Sequence, residues 1–97
     1  MNDQWDLFFD SLPGGEILRK GIRDLQEEVT SIPALLLLIG GPRLRNLGLS
    51  VLEIDSNPEH ALYDLLSQED PDSAHSRYNA LIRTLVSFER AAECAKR

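Results

Sequence analysis

The residues best equipped for chemistry gather just past the middle of the chain. Glu53, Asp55, Glu59 and His60 place three carboxylates and an imidazole in one short stretch, a set that could in principle gather a metal ion. Their spacing matches neither the calcium loop of an EF-hand nor the paired histidines of a zinc helix. The stretch is therefore read as a solvated acidic face. His75 falls in the first turn of the last predicted helix and is read as a surface residue. Nucleophilic catalysis needs a base held beside the nucleophile. Cys94 stands among Ala and Lys near a helix end, and no serine stands in a G-x-S-x-G context. Gly40-Gly41-Pro42-Arg43 could form an anion-binding turn at a helix start, but it lacks the Lys-Ser/Thr of a phosphate loop. No catalytic, cofactor-binding or metal-binding residue is assigned, and the chain is read as non-enzymatic.

Charge says more than chemistry. The net charge is −6 over 97 residues. Asp3, Asp6, Asp10 and Glu16 stand in the first 16 residues without a base. Glu53, Asp55, Glu59, Asp64, Glu69, Asp70 and Asp72 follow in residues 53–72, again with no Lys or Arg. Arg77, Arg83, Arg90, Lys96 and Arg97 then make the end basic. An acidic middle and a basic end can satisfy each other within one chain or between subunits. This balance disfavours nucleic acid as the main partner, because such binding rests on neutralising phosphates. No basic, apolar leader is visible at the start, and the single cysteine excludes an internal disulfide. A soluble, cytoplasmic protein without membrane contact is expected.

These side chains must be carried by helices. Residues 31–42, S-I-P-A-L-L-L-L-I-G-G-P, include the one run without a polar side chain, Ala34–Ile39. Six residues cannot span a bilayer, which takes about 20. Leu and Ala favour helix over strand. The run is predicted to be a two-turn buried helix, opened by Pro33 and ended by Gly40-Gly41-Pro42. Before it, Trp5, Phe8, Phe9 and Leu12 form one stripe of a helix over 3–12, ended by Pro13-Gly14-Gly15. Leu18, Ile22, Leu25 and Val29 form the stripe of a helix over 16–30. Its outer face offers Glu16 to Lys20 and Arg23 to Glu27, and Gly21 suggests a close helix crossing. After it, Leu44, Leu47, Val51 and Ile54 predict a helix over 42–54. Asn57-Pro58 is a cap followed by a first-turn proline, opening a helix to about Ser67 with Ala61, Leu62, Leu65 and Leu66 inward. Asp70-Pro71 repeats that signature for a last helix over 71–96. Its residues Ala74, Tyr78, Leu81, Leu85, Phe88, Ala92 and Ala95 step by alternating fours and threes.

The expected fold is all-α: a single domain over residues 1–97, a compact bundle of five or six helices around a short buried central helix, with a long C-terminal helix. Arg43–Ser50, R-L-R-N-L-G-L-S, resembles the first helix and turn of a helix-turn-helix. The residues after it, Val51-Leu-Glu-Ile-Asp55, are acidic where a DNA-reading helix would be basic.

The function expected is that of a small acidic interaction module, either an adaptor or an inhibitor of a larger basic or nucleic-acid-handling partner. Glu53, Asp55, Glu59 and Asp64 would steer the partner. Trp5, Phe8 and Phe9, or the seam of Tyr78, Leu81, Leu85 and Phe88, would supply the buried anchor. The same seam could join copies of the chain into a homo-oligomer. The alternative is a nucleic-acid-binding helical oligomer using Arg43 and Arg45 or the basic C-terminal helix.

Overall fold

The computed structural model describes residues 3–49, 51 and 57–95. Five α-helices and no strand are found among them: α1 (Asp3–Ser11), α2 (Gly15–Gln26), α3 (Ile32–Asn46), α4 (Pro58–Glu69) and α5 (Ala74–Ala95). The all-α class, the central helix and the long C-terminal helix match the expectation. α3 is the hub, packing against α2, α4 and α5, while α1 packs on α2.

Residues Ala34, Leu35, Leu36 and Leu37 are each at most 1% exposed. Consecutive helical residues point about 100° apart, so four of them face every direction. Such a helix is stable only when enclosed on all sides. Its start is tied to α2 by one hydroxyl. Ser31 Oγ accepts from the Ala34 N–H (3.2 Å) as the cap of α3 and donates to Asp24 Oδ2 (2.6 Å). Lys20 Nζ donates to the same oxygen (3.1 Å), so Lys20 pairs with Asp24 rather than with Glu16. The Ser31 and Lys20 hydrogen bonds hold the buried Asp24 carboxyl below its usual range.

α3 corrects the sequence reading. It does not stop at Gly40-Gly41-Pro42 but runs through them to Asn46. An interior proline costs a helix about 3 kcal/mol in isolation, yet Pro42 lies on the exposed side while Leu44 beyond it is fully buried. Burial of the second half outweighs the propensity cost. The two glycines serve packing, not termination: a side chain at Gly40 would meet Leu85 Cδ1 at 2.7 Å. The helix ends instead at Gly48, where φ is +108°. Gly48 N–H bonds the Arg45 carbonyl (3.0 Å) and Leu49 N–H the Leu44 carbonyl (3.0 Å), a Schellman cap. The L-G-L that resembled a helix-turn-helix turn is this cap. Residues 42–46 of the predicted helix over 42–54 are instead the last turn of α3, and beyond it Leu49 and Val51 are buried outside any helix. Residues 50 and 52–56 lie outside the described residues.

The remaining boundaries shift less. α2 ends at Gln26, four residues early, in a second Schellman cap with Glu28 at φ +59°. This leaves Val29 45% exposed rather than on the buried stripe. α4 starts as predicted, with Asn57 Oδ1 accepting the His60 N–H (3.2 Å). α5 begins three residues late, because Asp70 Oδ1 takes the Asp72 N–H (3.1 Å) and forms a turn. Gly21 does mark a close crossing: a Cβ there would collide with the Pro33 carbonyl oxygen and stand 3.2 Å from Leu37 Cβ.

Substituting Gly21→Ala should therefore destabilise the fold by roughly 1–3 kcal/mol, despite alanine's better helix propensity, because a backbone carbonyl cannot rotate away. Gly40→Ala should cost less, since the Leu85 methyl can move. Denaturant titration of both variants checks the order, and an equal or larger loss for Gly40→Ala would contradict it.

Candidate interaction surface

The aromatic residues of α1 are not available to a partner. Trp5 is 1%, Phe8 8% and Phe9 1% exposed. The Trp5 and Phe8 rings meet edge to face at 5.3 Å, and Phe9 stacks on Phe88 of α5 at 5.7 Å. Such pairs add about 0.5–1.5 kcal/mol each to the area they bury. Arg19 of α2 holds α1 from outside, bonded to the Asp10 carboxylate and to the Asp6 carbonyl (3.0 Å), with its guanidinium over the Phe9 ring. The first helix is docked. Its expected anchor role is corrected: a small chain with six aromatic residues places these three inside.

The C-terminal seam is likewise turned inward. Leu85 is 3% exposed, while Phe88 and Ala92 are fully buried. A 22-residue helix is about 33 Å long, and the molecule's long axis is 39 Å, so the body of the chain covers the seam. Leu85 and Phe88 are core residues, not partner contacts, and only Tyr78 and Leu81 of that set keep partial exposure. Glu53 and Asp55 lie outside the described residues.

What remains of the predicted set stands together on α4 and the start of α5. Leu62 and Leu66 turn inward, which forces Glu59, His60, Tyr63 and Asp64 outward. Tyr63 is 38% exposed and its ring meets that of Tyr78 at 5.7 Å, inclined by 60°. His60 Nε2 pairs with Asp64 Oδ2 (3.1 Å), and Arg77 of α5 bridges to Glu69 of α4 (3.0 Å). At this pair the acidic middle and the basic end meet within the chain, one of the two arrangements the charge pattern allowed. Tyr63 went unnoticed in the sequence, although the signal was there: it is an aromatic residue off the Ala61, Leu62, Leu65, Leu66 stripe.

The other charged constellation sits where α3 crosses α5. Arg43 Nη2 donates to Glu93 Oε2 (2.7 Å), which strengthens its hold on its proton. One turn back, Glu89 is only 5% exposed, and its carboxylate would stand 3.3 Å from a Cβ at Gly40. Burial raises its pKa above the ordinary 4.5, and the nearby Arg43 charge offsets this only in part. Arg45 donates to the Val51 carbonyl (3.3 Å). Both guanidinium groups named for nucleic acid therefore have internal partners.

Among the described residues no three His, Cys, Asp or Glu side chains gather as metal ligands. His75 is exposed beside Asn79 (3.2 Å), and the Cys94 thiol is exposed and free. No described helix is long and apolar enough to cross a membrane. Comparison with protein-family profiles, characterised proteins and solved structures finds no match.

The folded state holds the Glu89 proton more tightly than the unfolded chain does. The stability this contributes is fully present below pH 4.5 and is lost as pH rises through the elevated folded value. Glu89→Gln should therefore be more stable than the wild type at pH 7, with the gap closing as pH falls toward 4.5. Paired melting curves across that range check it, and a gap independent of pH would contradict it.

Proposed function

We propose that this chain is a non-enzymatic protein–protein interaction module that engages a basic surface of a larger partner through the outer face of α4. The observation that carries the reading is Tyr63, 38% exposed against Tyr78 and bordered by the exposed Glu59 and Asp64. Tyrosine supplies a large, stiff contact area with a polar tip, and it is enriched at binding hot spots. The carboxylates around it would steer a cationic partner and reject an anionic one. The net charge of −6 supports the same polarity. Adaptor and inhibitor are both compatible with this surface, and an inhibitor would occupy a groove shaped for phosphate. The exposed thiol of Cys94 suits a reducing compartment such as the cytoplasm.

The test is affinity capture with the full chain, followed by binding measurements with the recovered partner across a salt series. Affinity should fall steeply between about 0.05 and 0.5 M salt as surface charges are screened. Tyr63→Ala should weaken binding roughly tenfold or more, the loss of about 1.4 kcal/mol or more that marks a hot spot, with the helical fold retained and the melting temperature lowered by about 4–8 °C for the lost Tyr78 contact. Salt-indifferent binding that survives Tyr63→Ala would overturn the reading.

A further inference from the structure

α2 and α3 meet at a corner that is not closed. The gap there is an open cavity of about 440 Å³, within the range of about 300–1,000 Å³ typical of ligand pockets. Its floor is Ala34 and Leu35, and Leu25, Val29 and Leu38 stand around it. Val29 is 45% exposed because α2 stops at Gln26, before the last position of its own apolar stripe could turn inward.

The rim is negative through its side chains. Glu28 lines the cavity and the adjoining Glu27 is exposed, while the opposed poles of the α2 end and the α3 start offset each other there. Arg23, the basic residue of that last turn, does not line the cavity, and neither does any lysine.

Glu28 also stands where a glutamate is unfavourable. It occupies the left-handed position of the α2 cap at φ +59°, a conformation that favours glycine. The chain keeps a strained carboxylate at the mouth of an apolar cavity. Local strain of this kind is typical of binding sites.

We infer that the α2–α3 corner is a second docking site, taking a basic amphipathic segment of a partner protein. An aliphatic side chain of that segment seats between Leu25, Val29 and Leu38, and a neighbouring lysine or arginine meets Glu28. The site shares no residue with the Tyr63 face and does not depend on it.

The experiment is amide chemical-shift titration of the full, isotope-labelled chain with a synthetic amphipathic peptide of leucines and lysines. A peptide with glutamate in place of lysine is the control. The lysine peptide should shift Leu25, Val29, Thr30 and Leu38, and the glutamate peptide should not. Glu28→Gln should weaken binding about fivefold, as loss of one exposed ion pair allows. Glu28→Gly should weaken it equally while raising the melting temperature by about 4 °C, because glycine relieves the strained cap. The following results would overturn the inference. The first is an absence of shifts. The second is equal binding of the two peptides, and the third is undiminished binding by Glu28→Gln. The fourth is concentration-dependent shifts at the same residues without peptide, which would mean that a second copy fills the corner. Shifts confined to the Tyr63 face would also overturn it, while leaving the α4 reading intact.

Discussion

Leu35, Leu36 and Leu37 follow one another around a helix and are all excluded from water. A helix with no polar face has no orientation in which it can sit at a surface. The other elements are arranged to meet that constraint. α2, α4 and α5 pack on α3, and α1 closes the aromatic end through Phe9 on Phe88. Close approach is possible because small residues stand at the crossings. Gly21 lets α2 reach the Pro33 carbonyl, and Gly40 leaves room for Leu85 and Glu89 of α5.

The same constraint determines which polar groups end up inside. Two of the helix junctions around α3 contain a buried carboxylate, and the two behave in opposite ways. Asp24 receives hydrogen bonds from Ser31 and Lys20, which favour its charged form. Glu89 is buried beside an arginine already bonded to Glu93, and desolvation favours its neutral form. One junction is therefore tightened by ionisation and the other loosened by it. The surface left over is strongly acidic, and the exposed tyrosine of α4, the open α2–α3 corner and Leu7 of α1 are apolar breaks in it.

Much of this was legible in the residue pattern. The Trp5, Phe8, Phe9 stripe, the Asn57-Pro58 start and the α5 seam all follow from local rules, and each is found in place. The misreadings share a physical cause. Gly40-Gly41-Pro42 reads locally as a stop, but the burial of Leu44 beyond it decides otherwise. Glu28 gives no local hint of a left-handed cap, because the cap is imposed by the turn from α2 to α3. Asp70 caps a turn rather than a helix, a choice between two bonds of similar strength. The candidate surface was half legible. Glu59 and Asp64 were named from charge, whereas the aromatic anchor was sought among residues that a small core has to bury.

Amide hydrogen exchange tests the enclosure of α3 most directly. If the other helices are all placed to cover it, its amides have no route to water short of global unfolding. The amides of Leu36, Leu37 and Leu38 should then show the highest protection in the chain, with an opening free energy equal to the stability measured by denaturant. Exchange of those amides through a partial opening, with protection lower than in α4 or α1, would contradict the account.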